Sequence, residues 1–278
     1  LLGGWNPRDK VNFPRICNSE VWSSADGRDW TEVNPQAPWE GRHTAGYAVF
    51  QDKLWVIGGD CNQHHYQNDV WCSADGREWT RVTDQVPWGP RVLHYAGVFR
   101  DKLWVLGGQT MPGFVPGSEE RFYADVWCST DGQHWTQMAD RCPWAPRGLT
   151  GGFAVHDGRL WILGGGTYDT PQTPVRQFFN DVWSSADGVH WDKVLDAAPW
   201  HPREYHEVAV WDGKLWVMEG YHVSGGNRND VWYSPDGVHW TELPNTPWAP
   251  RHAASVFVHR DALWMVAGNN MFPDVWKL

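Results

Sequence analysis

Apolar residues in this chain fall in short runs with turn residues between them, and no stretch keeps a helical period. The clearest copy of the pattern runs from Asn68 to Gly108, NDVWCSADGREWTRVTDQVPWGPRVLHYAGVFRDKLWVLGG. Four segments rich in Val, Trp, Leu and Phe, DVWCS, EWTRV, LHYAGVF and KLWVLGG, predict four short strands on a mostly buried pleated surface. Asp75-Gly76, Pro87-Trp88-Gly89-Pro90 and Arg100-Asp101 separate them and predict turns.

The unit recurs along the whole chain. Its Val-Trp tryptophan returns at Trp22, Trp71, Trp127, Trp183, Trp232 and Trp276, with spacings of 49, 56, 56, 49 and 44 residues. Of the 23 tryptophans, 21 occupy four repeat positions, leaving only Trp5 and Trp211 outside, so most of the tryptophan is architectural. A four-stranded repeat of this length predicts a β-propeller with one repeat per blade. We letter the strands a to d from the innermost outward: a follows the Arg of Pro-Trp-x-x-Arg, b is Leu-Trp…Gly-Gly, c is Val-Trp and d follows Asp-Gly. The expected fold is all-β, a single domain over 1–278, with six blades of four antiparallel strands, incomplete at the terminal seam. Blade 1 begins in the tail of b, and blade 6 stops after c. Opening and closing in mid-blade leads us to expect residues upstream of Leu1 that supply the missing strand.

Length variation is concentrated in one connection. From each Val-Trp tryptophan to the second residue of the next Gly-Gly position takes 36 to 38 residues, whereas from there to the next Val-Trp valine takes 17, 11, 18, 17, 11 and 7. The b–c loops therefore vary over a fixed scaffold. Since strands alternate direction, the b–c and d–a loops share one face, which becomes the candidate functional face.

Composition narrows the partners. The net charge is −10 and no basic stripe is present, which argues against nucleic acid. No apolar run approaches the ~20 residues that span a bilayer. The five cysteines, Cys17, Cys61, Cys72, Cys128 and Cys142, include no C-x-x-C pair and read as small buried residues. The compartment is not fixed by these features.

Candidate chemistry clusters at the start of strand a. Arg42, Arg91, Arg147, Arg203 and Arg251 recur there, which suits bonds to backbone carbonyls between blades, or a grip on a substrate carboxylate at the channel mouth. The residues after them do not repeat. One position on stand His43, Val92, Gly148, Glu204 and His252; three positions on stand Ala45, His94, Thr150, His206 and Ala254. Strand alternation places both positions on one face, so His43, His94, Glu204, His206 and His252 are expected to converge as acid/base groups, as polar lining or, for the histidines, as metal ligands. Glu219 replaces the first Gly of the doublet in blade 5. A carboxylate there is expected to be desolvated and raised in pKa, and a Glu219–His206 pair, with Glu204, is the candidate catalytic set. The b–c loops open with Trp5, Asp60, Gln109, Gly166, Tyr221 and Asn269. Trp5 and Tyr221 can stack on a sugar face, and Asp60, Gln109 and Asn269 can bond hydroxyls, with His64, His65, Tyr168 and Asp169 nearby in sequence.

The Gly-Gly doublet, the downstream Val-Trp and the later Trp together resemble the kelch repeat, over the whole chain. That resemblance implies a propeller of the kind found in interaction scaffolds, in sialic-acid mutarotases and in the central domain of galactose oxidase. No motif here matches the Tyr-Cys copper site of the last. The turn Ser24-Ala25-Asp26-Gly27-Arg28-Asp29-Trp30, repeated from Ser73, Ser129, Ser185 and Ser234, resembles the Asp-box, with Gly one residue early; we expect it to be structural. The expected function is that of a carbohydrate-active propeller, a mutarotase, epimerase or lyase acting on an acidic sugar at the b–c/d–a face. A non-catalytic glycan- or protein-binding scaffold is the first alternative, and a metal-binding propeller with a His/Glu site is the second. No particular cofactor is implied.

Overall fold

The computed structural model describes residues 1–5, 17–60, 65–110, 117–148, 152–168, 174–269 and 272–278. Cys61, His64, Thr150 and Asp169 lie outside these. The architecture is a six-bladed β-propeller of small antiparallel sheets, with no helix among the described residues. By internal contact the chain divides into two compact units, Leu1–Arg141 with blades 1 to 3 and Cys142–Leu278 with blades 4 to 6.

In the first unit, blade 1 has three described strands, Leu2–Trp5, Cys17–Ser24 and Trp30–Asn34. Blade 2 runs a to d as Gly46–Phe50, Lys53–Asp60, Tyr66–Ser73 and Thr80–Thr83. Blade 3 follows as Tyr95–Phe99, Lys102–Leu106, Val126–Ser129 and Trp135–Ala139. In the second unit, blade 4 is Phe153–His156, Arg159–Thr167, Gln177–Ser185 and Asp192–Leu195. Blade 5 is Glu207–Trp211, Lys214–Met218, Val231–Ser234 and Thr241–Leu243. Blade 6 has three described strands, Ser255–His259, Ala262–Val266 and Val275–Lys277. The two three-stranded sheets match the incomplete seam expected from the sequence.

The repeated tryptophans hold blades to themselves and to their neighbours. Each Leu-Trp indole N–H closes its own a–b hairpin, as Trp55 does on Phe50 O at 2.9 Å and Trp216 on Trp211 O at 2.9 Å. The Pro-Trp rings are buried between blades, and four of them meet the Asp-Gly-x-x-Trp ring of the next blade edge to face: Trp39–Trp79, Trp88–Trp135, Trp144–Trp191 and Trp200–Trp240, with centroids 5.7 to 6.0 Å apart. Aliphatic strand residues fill the remainder, as in the blade 4–5 cluster of Leu163, Val182, Leu215 and Val217.

The five repeated arginines are clamps inside each blade. Arg91 is 1% exposed; it donates to Asp125 through both terminal nitrogens, at 2.6 and 3.0 Å, and to Gly107 O at 3.0 Å. Arg42–Asp69, Arg147–Asp181, Arg203–Asp230 and Arg251–Asp274 repeat the fork, each at 2.6 Å. The same aspartate accepts the Val-Trp indole N–H, as Asp125 does from Trp127 at 2.9 Å. Strand a's lead is thereby pinned to strand c across the doublet that ends strand b. The arginine side chains bond two kinds of carbonyl: the doublet carbonyl belongs to their own blade, while Nε of Arg42, Arg147, Arg203 and Arg251 donates to Glu40 O, Ala145 O, His201 O and Ala249 O, at 2.9 to 3.2 Å, in the connection that leads in from the preceding blade. The inter-blade bond comes from the arginine's backbone, whose carbonyl accepts from the preceding blade's second doublet glycine, as in Gly165 N to Arg203 O at 3.2 Å.

The Asp-box-like turns satisfy themselves. Asp75 Oδ1 accepts from the backbone N–H groups of Arg77 and Glu78 at 2.8 and 3.0 Å, and Ser73 Oγ from Gly76 at 2.8 Å, leaving Gly76 at φ 76°. Cys17, Cys72, Cys128 and Cys142 are buried.

Candidate functional site

The residue two positions past each arginine decides which side chains reach the b–c/d–a face. Thr44, Leu93, Tyr205 and Ala253 all sit at positive φ, between 52° and 59°. A left-handed residue breaks strand alternation, so the positions on either side of it no longer share a face. The expected convergence of both sets of histidines is corrected on this ground. The first position stays at the end of the strand and pairs with the opening of the b–c loop: His43 with Asp60, Val92 with Gln109, Gly148 with Gly166 and Glu204 with Tyr221. In blades 3 and 5 the third position turns into the blade interface.

His94 and His206 are the residues so turned. His94 Nε2 lies 3.1 Å from Ile57 O and His206 Nε2 lies 2.7 Å from Leu163 O, the carbonyl just before the doublet of the preceding blade. Both are buried, and burial followed by the nearby clamp arginine lowers them to about 4 and about 3, so they are neutral donors of scaffold hydrogen bonds. Neither is placed as a metal ligand or substrate contact.

Glu219 belongs to the same layer. It has no exposed surface, sits at φ 52°, and accepts from Ala254 N through Oε1 at 2.8 Å. Burial pushes its carboxyl up to about 8, as the sequence led us to expect. The reason for a glutamate here is visible in the neighbour. A Cβ on Gly58 would come within 3.2 Å of His94 Cε1. Blade 6 carries Ala254 where blades 3 and 5 carry histidine, so the doublet of blade 5 has room for a side chain, and Glu219 fills it. Glu219 is directed to blade 6 and His206 to blade 4, so the expected catalytic pair becomes two separate packing contacts. The five arginines, closed on aspartate and at most 1% exposed, are likewise not presented as anion grips.

In the second unit, side chains do gather at the loop face. Arg176, just ahead of strand c of blade 4, places Nη1 3.0 Å from Glu204 Oε1 and its guanidinium 4.2 Å from the Tyr168 ring centroid and 5.9 Å from that of Tyr221. Beside them the half-buried His252 ring packs against Tyr205 and Tyr221, at 5.2 and 5.5 Å. A chain of amides orients it. The His252 backbone N–H donates to Asn269 Oδ1 at 3.3 Å, which fixes Asn269 as acceptor; Asn227 Nδ2 donates to that oxygen at 3.3 Å, turning Asn227 Oδ1 to His252 Nδ1 at 2.6 Å. The ring proton therefore sits on Nδ1, and Nε2 carries the lone pair. Burial, then the Arg176 charge, lowers His252 to about 4, so it is neutral at physiological pH. The cluster offers a cation, a carboxylate, aromatic faces and oriented amides, a set suited to a polyhydroxylated anion.

Glu204, Tyr221, Asn269 and His252 were marked by the sequence; Arg176, Tyr205 and Asn227 were not. In the first unit, His43 faces Asp60 at 2.5 Å and stacks beside Trp5, while Gln109 is buried and paired with Val92. Among the described residues no group of three or more His, Cys, Asp or Glu is placed to hold a metal ion. No model of a known protein family matches the chain, and no curated protein does.

Proposed function

We propose that this chain is a carbohydrate-active propeller that takes an acidic sugar at the loop face of its second unit. The observation that carries the reading is Arg176, a guanidinium outside the repeat, held over Tyr168 with Glu204 beside it. It takes over the carboxylate-gripping role that the sequence had suggested for the clamp arginines. Tyr168 and Tyr221 give faces for sugar C–H groups, and Asn227, Asn269 and the His252 Nε2 give hydroxyl partners. The kelch-like repeat pattern agrees with an isomerising enzyme of the mutarotase or epimerase class, or a lyase, through fold alone. The packing roles of Glu219 and His206 favour a second reading, a non-catalytic glycan- or protein-binding scaffold, because they take the expected acid/base pair out of this face.

The test is calorimetric titration with glucuronic, galacturonic and N-acetylneuraminic acids against glucose and galactose. At least one acid should bind tighter than both neutral sugars, and Arg176→Met should weaken it on the order of 10-fold or more at a temperature where circular dichroism shows the variant folded. Equal affinity for acids and neutral sugars, or unchanged binding by Arg176→Met, refutes the acidic-sugar site.

A further inference from the structure

The b–c loop of blade 5 folds as a small hairpin in which Tyr221 pairs with Asn227 and His222 with Gly226. Successive side chains leave a strand on opposite faces, so His222 is turned from the Tyr221–Asn227 side. It meets His201, with ring centroids 4.5 Å apart at 77°, and Phe178, at 4.2 Å. Ser224 N donates to His222 Nδ1 at 3.1 Å. A backbone N–H can only donate, so Nδ1 holds the lone pair and the ring proton sits on Nε2. Burial, then His201 and Arg228, lowers His222 and keeps it in that neutral form. Arg228 folds back over the hairpin tip. A Cβ on Gly225 would come within 2.7 Å of its Nη2, and Gly225 N itself donates to His222 O at 3.2 Å. The Arg228 Nε is buried, and among the described residues the side chain makes no hydrogen bond and no ion pair. Asp230, the carboxylate that feels its charge, is committed elsewhere: to Arg203 at 2.6 and 2.7 Å and to Trp232 Nε1 at 2.9 Å. A partly buried guanidinium with no counter-ion is a cost, and it stands here in a chain of net charge −10.

We propose that Arg228 and His222 form a binding subsite for a tetrahedral oxyanion, a phosphate or sulfate group. With Nε buried, the guanidinium presents its Nη1–Nη2 end, a fork that grips two oxygens of such a group. The Nε2–H of His222 is a third donor, for a third oxygen that a carboxylate lacks. The anion supplies the counter-charge that no side chain gives Arg228. His201 is a positioning residue: its Nδ1 donates to Pro202 O at 2.8 Å, and its ring packs edge-on against His222. Gly225 leaves the space that Nη2 occupies. The subsite is distinct from Arg176, whose guanidinium already has Glu204 for a partner. The proposal uses residues of the second unit only and does not rest on the acidic-sugar reading.

The experiment is calorimetric titration of the whole chain with phosphate, sulfate, glucose 6-phosphate and glucose 6-sulfate, against acetate and glucose, at constant ionic strength. At least one of the four oxyanions should bind on the order of 10-fold or more tighter than acetate, and Arg228→Met should weaken it by a similar factor at a temperature where circular dichroism shows the variant folded. Arg228→Lys, which keeps the charge and the stem but loses the fork, should weaken it too. Nitrogen-15 spectra of the histidines give a second readout. His222 should carry its proton on Nε2, and that nitrogen should shift on addition of the anion in wild type but not in Arg228→Met. Esters that bind tighter than phosphate and sulfate assign the group to a sugar ligand, and equal affinity assigns it to the inorganic ion. No preference over acetate, wild-type affinity in both Arg228 variants, or a proton on Nδ1 of His222 each overturns the proposal. If Arg176→Met abolishes oxyanion binding while Arg228→Met retains it, the subsite fails alone; if uronic acids and neutral sugars bind alike while oxyanion binding depends on Arg228, the acidic-sugar reading fails alone.

Discussion

Glu219 shows how one residue can be unusual without being a reacting group. A non-glycine at φ 52° in a position where other blades have glycine or alanine carries backbone strain, and its carboxyl has no exposed surface. The strain and desolvation are local costs set against one buried hydrogen bond to Ala254 N. Because folding raises its pKa from 4.5 to about 8, its contribution is fully present below pH 4.5 and is lost as pH rises through about 8. Glu219→Gln keeps an acceptor for Ala254 N and removes the titration. It should raise Tm at pH 8.5, by an effect on the order of 3 kcal/mol, and change it little at pH 4.5. An equal Tm shift at both pH values would show that charge at Glu219 is not what destabilises the fold. The raised pKa was legible in the sequence from the broken Gly-Gly rule. The packing role was not, because it depends on Ala254 one blade later, and only the inter-blade register relates the two positions.

At the scale of the strand and blade, the Arg–Asp clamp is the repeated device. The aspartates were available to sequence reasoning, since Asp69, Asp125, Asp181, Asp230 and Asp274 each precede a Val-Trp pair, and Glu20 holds that place in blade 1. Pairing them with the arginines requires knowing that the lead into strand a passes the start of strand c. In blade 3 the pair is nearly dry, with side chains 1% and 9% exposed. Arg91→Met should therefore destabilise by roughly 3 to 5 kcal/mol, most of it from the unpaired Asp125, and Arg91→Met with Asp125→Leu should recover much of the loss. Denaturant midpoints of the two variants check this, and a double variant no better than the single would show that the fork's hydrogen bonds, and not the stranded charge, carry the stability. Strand existence and order were legible because turns and tryptophans recur every blade. Arg176 and Asn227 were missed because they stand in b–c segments, where lengths differ and no repeat marks a position.

At the scale of the whole molecule, the buried titratable groups are unevenly shared and so divide the pH response. Of the buried groups that titrate between about pH 4 and 8, unit one holds His94, and unit two holds His206 and His252 and also Glu207 and Glu219; the raised Tyr47, Cys72 and Cys128 of unit one ionise at higher pH. Glu207 keeps some residue surface, but its carboxyl is packed round by protein; that burial, and then the Glu219 charge, raise it well above its usual value. A buried histidine lowered from 6.5 stabilises fully above pH 6.5 and loses that contribution as pH falls toward 4 or 3. A raised glutamate does the reverse, beginning above pH 4.5. Between about 4.5 and 6.5, the two histidines and two glutamates of the second unit oppose one another, so its stability should be nearly level there and decline above and below. The first unit should decline on the acid side with His94 and keep its stability to pH 8.5, because the groups that burial raises there, Tyr47, Cys72 and Cys128, ordinarily ionise only above that pH. Hydrogen exchange read by mass spectrometry at pH 5.5 and 8.5, corrected for the intrinsic pH dependence of exchange, separates the units. Strands Glu207–Trp211 and Lys214–Met218 should lose protection at the higher pH, and Tyr95–Phe99 and Lys102–Leu106 should keep it. Loss in both units together would mean that they unfold as one cooperative body and that the glutamates of blade 5 set the alkaline limit for all six blades.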